Sequence, residues 1–130
     1  MTTDRPPEIA RAVALLWTSL LLGVVRLVFD WRDLTADGAA PVGLMVTIAI
    51  ATIAVLAGFV HLIARGRNWA RIVFTGLYLI GLVVSLPDVW SELGTAPIAA
   101  LVGALQLVLQ GVALVLLFRP AAAAWFRGTA

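Results

Sequence analysis

The chain has 130 residues; 62% are hydrophobic and 12% charged, and its mean hydropathy is +1.05. A soluble domain carries about 45–50% apolar and about 25% charged residues, so this chain lacks the polar surface to coat a water-soluble globule, and it is too apolar for a disordered coil. All nine basic residues are arginine, seven acids leave a net charge of +2, and cysteine is absent, which excludes disulfides, thiolate metal sites and CxxC redox pairs. No long run of basic residues points to nucleic acid, and an integral membrane protein remains.

Pro6-Pro7 precede the first apolar stretch, where a missing N–H is tolerated. Arg11 and Arg26 enclose 14 uncharged residues, and the apolar character runs on to Phe29, predicting a helix near 9–30. Arg5 and Arg11 resemble the head of a signal peptide, and Gly38-Ala39-Ala40 its cleavage site. The long apolar stretch and the charges at Arg26, Asp30 and Arg32 favour a retained span. Asp37-Gly38 marks a loop, Pro41 opens a second helix near 42–64, and no formal charge falls between Gly38 and Ala64. Gly66 breaks the connection to a third helix near 69–89, which Pro87 is expected to bend or stop. Gly94 and Pro97 bracket entry to a fourth, near 97–118, and the tail 119–130 reads as an interfacial segment.

At about 1.5 Å per residue, about 20 residues cross a hydrocarbon core of about 30 Å. Runs such as 98–105 and 112–118 show none of the alternation a barrel needs. The fold class is therefore all-α: one transmembrane domain over 1–130, forming an integral membrane four-helix bundle. Ala10-Arg11-Ala12-Val13 and Ala70-Arg71-Ile72-Val73 open the two halves, Trp31 and Trp90 follow 20 and 19 residues after those arginines, and Ala40-Pro41 answers to Ala96-Pro97. A duplicated helical hairpin would give this pattern; alanine-rich composition and the demands of the interface would give it too.

Seven arginines (Arg5, Arg11, Arg65, Arg67, Arg71, Arg119 and Arg127) fall at one end of the spans, against Arg26 and Arg32 at the other. The positive-inside rule then places both termini, and the loop between the second and third helices, on the cytoplasmic side of a multi-pass membrane protein. Trp31 and Trp90 at the acidic end, and Trp69 and Trp125 at the arginine end, fit aromatic belts.

Small and polar residues recur near heptad spacing, at steps of three, four or seven, on each helix: Ala12, Ser19, Gly23, Arg26 and Asp30; Thr47, Ala51, Ala54, Gly58 and His61; Thr75, Tyr78, Gly81, Ser85 and Asp88; Ala99, Gly103, Gln106, Gln110 and Ala113. They predict four tight seams in a left-handed bundle.

Several residues are candidates for chemistry. Arg26 and Asp30 are four apart and can pair; a charge within a span is a functional suspect, while snorkelling to the headgroups is the simpler reading. Gln106 and Gln110 lie mid-span, one turn apart, and with Tyr78 complete a candidate intramembrane polar site. Structural glue competes with a substrate pathway for that set. His61 alone cannot make a usual metal site. The acids Asp30, Asp33, Asp37, Asp88 and Glu92 read as solvated loop ends rather than an ion site. Arg65, Arg67, Trp69 and Arg71, with Arg119, Trp125 and Arg127, are candidate contacts for anionic lipid headgroups. No catalytic motif is present, and neither a metal nor another cofactor is expected.

The Gly66-Arg67-Asn68-Trp69-Ala70-Arg71 turn and the Pro120, Trp125-Phe126-Arg127 ending resemble a widespread group of small, uncharacterised bacterial membrane proteins. Those proteins have a Gly-x-Asn-Trp-Ala-Arg turn after the second of four helices. The resemblance implies the four-span plan and no activity. The plan and size are also similar to the GtrA-like flippases, whose asparagine–aromatic pattern is not clearly present here. The functional expectation is a non-enzymatic auxiliary or structural subunit, or a homo-oligomer, in contact with membrane lipids and a membrane-protein partner. The alternative is a minimal channel, transporter or lipid-linked substrate flippase, which needs a cavity reaching Arg26, Tyr78, Gln106 and Gln110.

Overall fold

The computed structural model describes residues 4–36, 38 and 40–128. Among these, five helices and no strand occur: α1 (Pro7–Ala36), α2 (Val42–Ala64), α3 (Asn68–Thr95), α4 (Pro97–Leu117) and α5 (Pro120–Gly128). The first four are long and apolar enough to cross a membrane. The protein is a small multi-pass membrane protein with an all-α bundle.

α2 has the bounds its breakers predict. Its end is a Schellman turn: Gly66 N–H bonds to the Ile63 carbonyl at 3.0 Å and Arg67 N–H to Leu62 at 3.1 Å. Gly66 carries φ of 80°, a conformation that favours glycine because it has no Cβ. α1 and α3 run six residues beyond their expected ends at 30 and 89. Charge ends an apolar run, but it does not end a helix. Pro87 lies inside α3 rather than closing it. Asp37 and Ala39, which belong to the expected loop and cleavage site, fall outside the described residues, as do 129–130 of the tail.

α1 packs most extensively on α4; α4 also meets α3, α1 meets α2, and the α2–α3 seam is the smallest of the four. The buried apolar core gathers at the arginine end: Ile9, Ala12, Val13 and Leu16 of α1, Val60 and Ile63 of α2, Ala70 and Phe74 of α3, Ala113, Leu114 and Leu117 of α4. Ala122 and Phe126 of α5 complete it. The tail is thus tucked under the bundle by its apolar face. Phe59 of α2 meets Trp69 and Phe74 of α3 at ring separations of 6.1 and 6.3 Å, tying those helices beside their turn.

Toward the acidic end the bundle is loose. No residue of the most apolar window of α2 is buried. The accessible surface is 8284 Å², where a soluble protein of this mass would show about 6,600 Å². Large side chains such as Leu21, Phe29, Ile50, Ile80 and Val83 face outward, as lipid contact requires.

Three of the four small-residue stripes face the bundle. On α1, Ala12 and Ser19 are buried; on α4, Gly103 and Ala113 are buried; on α3, Thr75, Tyr78, Gly81 and Ser85 are half-buried. The α2 stripe is the exception: Thr47, Ala51, Ala54 and His61 are exposed. α2 instead turns Met45, Ala49, Ile53 and Leu56 toward α1, where they line a shared groove. Spacing shows which residues share a face; only packing shows where that face points.

Candidate functional site: a polar cavity within the bundle

Arg26 anchors the acidic end. Its Nη2 donates to both carboxylate oxygens of Glu92, at 2.6 and 2.8 Å, and its Nε donates to Asp30 Oδ2 at 3.2 Å. The expected i,i+4 pair is present, and the guanidinium also reaches across to Glu92 of α3. Only 23% of the Arg26 side chain is exposed, so charge-assisted bonds carry it where water is scarce. Gly103 of α4 makes the path: a β-carbon there would collide with Arg26 Nη1.

The glutamines are placed differently from each other. Gln110 Nε2 donates to Ser19 Oγ of α1 at 2.8 Å, a half-buried link between α1 and α4. Gln106 lies against Gly23 of α1, where a β-carbon would stand 2.8 Å from its Nε2. Tyr78 of α3 donates its hydroxyl to the Leu107 carbonyl of α4 at 3.0 Å. Gly111 opens that approach, since a β-carbon there would come within 2.9 Å of the hydroxyl.

These side chains surround a cavity of about 240 Å³, lined by Arg26, Tyr78, Ser85, Gln106 and Gln110 among apolar groups including Leu56, Phe74 and Val89. Four of the five residues expected to form an intramembrane polar site therefore meet at one cavity. Asp30, the fifth, stands behind Arg26 as its ion partner. An apolar groove of about 430 Å³ runs between α1 and α2, walled by Leu20, Val24, Leu27, Trp31, Met45 and Ile48. Gln106 and Leu56 line both spaces, so polar cavity and apolar groove adjoin there.

The arginine end holds a second polar arrangement. Arg71 Nη1 donates to the Leu117 carbonyl at 2.8 Å, satisfying a terminal acceptor of α4. Its guanidinium lies 4.5 Å from the ring centres of both Phe118 and Phe126. Arg71 is 8% exposed, so it is a structural tie rather than the headgroup contact expected of it. The cause is α5, which folds back and brings Phe126 over the guanidinium. Arg5 performs the parallel task for α2, donating to the Ala64 carbonyl at 2.7 Å. Arg65, Arg67, Trp69, Arg119 and Arg127 are exposed, and Trp125 is half-buried. These remain placed for an interface.

Glu92 and Ser19 are the partners that sequence reasoning did not pair with Arg26 and Gln110. The signals were faint: Glu92 stood among the loop acids, and Ser19 stood on the α1 stripe. Among the described residues, no three histidine, aspartate or glutamate side chains are grouped to hold a metal ion. No protein-family model matches the chain, nor does a curated protein or a solved structure.

Proposed function

We propose that this small multi-pass membrane protein binds a membrane-dissolved amphiphile within its bundle, as a non-enzymatic minimal transporter or lipid carrier. The observation that carries this reading is the cavity shared by Arg26, Tyr78, Gln106 and Gln110. Arg26, Tyr78 and Gln110 each bond to a neighbouring helix, yet a space stays open between them and Gln106. Polar side chains around a space inside an apolar bundle, beside an apolar groove, are the usual form of a ligand site.

The same reading places the protein in a bacterial inner membrane with both termini in the cytoplasm. The support is the clustering of seven arginines at one end. Exposed Arg65, Arg67, Arg119 and Arg127, with Trp69, would then meet anionic lipid of the cytoplasmic leaflet.

Native mass spectrometry of the protein, released from membranes in mild detergent, tests the reading. Wild type should carry an amphiphile adduct that a Gln106→Leu, Gln110→Leu variant lacks. A bare wild type, or an adduct unchanged in the variant, would defeat it.

A second reading, the auxiliary subunit or homo-oligomer, is favoured by the α2 stripe. Thr47, Ala51 and Ala54 are small, exposed and in register for a close helix–helix approach. It predicts that Ala51→Leu strips a stoichiometric partner, or a second copy, from the purified protein.

A further inference from the structure

We infer that the first turn of α3 and the helix α5 form a binding site for the phosphate of an anionic phospholipid, with Arg127 and one corner of Arg71 as its donors. The site is separate from the cavity. It rests on the reading of the arginine end as a lipid-facing surface and narrows that surface to one place.

The charge balance comes first. Seven arginines stand at this end against two acids, Asp4 and Glu8. Among the described residues the ion pairs belong to Arg26, at the opposite end, and none joins an arginine here. Water can serve the exposed guanidinium groups of Arg65, Arg67 and Arg119. Arg71 is buried, and Arg127 of α5 stands near enough to repel it. Two like charges beside an apolar core, with no acid between them, are complementary to an anion.

The geometry of Arg71 fixes the place. Phe118 and Phe126 lie against its guanidinium, so a ligand meets it at an edge. Nη1 is taken by the Leu117 carbonyl, and Nε is closed off from the surface. Nη2 bonds to no described residue and, unlike Nε, is not closed off. The tie leaves that one corner for a ligand. Arg127 follows Phe126 directly, so the fold that lays the ring on Arg71 also delivers the second guanidinium. An anion with several oxygens can give each of them a separate acceptor.

Depth identifies the source of the anion. Trp125 packs edge-on against Phe126 at 5.2 Å, and exposed Trp69 shares the first turn of α3 with Arg71. Tryptophan marks headgroup level, where the abundant oxyanion is lipid phosphate. A choline head would bring its own cation to an end already rich in arginine; a glycerol head would not.

The test uses the full chain in phosphatidylcholine nanodiscs with a rising share of phosphatidylglycerol, in high salt to screen diffuse attraction. The unfolding temperature reports binding, and it should rise and saturate. Oleate, an anionic lipid without phosphate, should raise it less, and so should inorganic phosphate added to phosphatidylcholine discs. Arg127→Gln should weaken the response to phosphatidylglycerol by at least about tenfold, as the loss of a hydrogen bond to a charged group does. In phosphatidylcholine alone the same variant should unfold no lower than wild type, because it relieves the repulsion of Arg71. A drop there would overturn the repulsion on which the site rests. Arg11→Gln removes the same charge from an exposed position on α1 and should leave the response unchanged. Equal weakening by the two variants would overturn the site and leave a diffuse lipid-facing surface standing. A response to oleate or to inorganic phosphate that matches phosphatidylglycerol would overturn the phospholipid assignment. No response to phosphatidylglycerol would overturn both the site and the lipid-facing reading.

Discussion

Arg26 of α1 and Glu92 of α3 are joined across 66 residues of sequence, one guanidinium nitrogen donating to both carboxylate oxygens at 2.6 and 2.8 Å. The two helices have no extensive seam of their own at this end; α4 lies between their packing surfaces. The ion pair is therefore a strut. Glu92→Gln should lower stability by about 1.5 to 3 kcal/mol, the range for a hydrogen bond to a charged group. In a cycle with Arg26→Gln, the double variant should lose less than the two single losses together. Reversible unfolding in detergent, followed by circular dichroism, measures both.

Gly103 gives the strut its room. Gly103→Ala should displace Arg26 and lower stability by about 1 kcal/mol, a typical effect of overpacking. The loss should shrink once Glu92→Gln has already released the guanidinium. Equal losses in both backgrounds would show that Gly103 and the ion pair are independent.

Gly111 and Tyr78 form the matching pair on the other side of the cavity. Gly111→Ala should push the Tyr78 hydroxyl off the Leu107 carbonyl, and Tyr78→Phe should relieve that clash. The expected loss is about 1 kcal/mol for either single change. The double variant should be no worse than the poorer single one, as read from unfolding midpoints.

At the opposite end, Arg71 joins the last turn of α4 to two aromatic rings. Arg71→Leu should lower stability by about 2 to 3 kcal/mol, since a buried carbonyl loses its partner and two rings lose their cation. Arg71→Lys should recover only part, because an ammonium cannot stack as a planar guanidinium does. Arg11, which opens the other half of the chain in the same local sequence, is exposed. Arg11→Leu should change stability by no more than about 0.5 kcal/mol.

That contrast shows where sequence reasoning reaches. The four spans were legible because lipid demands long apolar helices, and the ends of α2 were legible because Pro41 and Gly66 punctuate it. The ends of α1 and α3 were not, because Asp30, Arg32 and Pro87 interrupt hydrophobicity without interrupting the helix. Arg26, Tyr78, Gln106 and Gln110 stood out as polar groups in an apolar run. Their partners did not, since whether Glu92 faces Arg26 depends on how α1, α3 and α4 are arranged. Arg11 and Arg71 look alike in sequence. Only the return of α5, with Phe126, makes one a surface charge and the other a buried tie.

The concentration of the core at the arginine end has a mechanical consequence. A bundle clasped at one end and slack at the other would hinge about its clasp: α2, tied to α3 by Phe59, Trp69 and Phe74 beside their turn, would swing most at its far end, beside the groove that adjoins the polar interior.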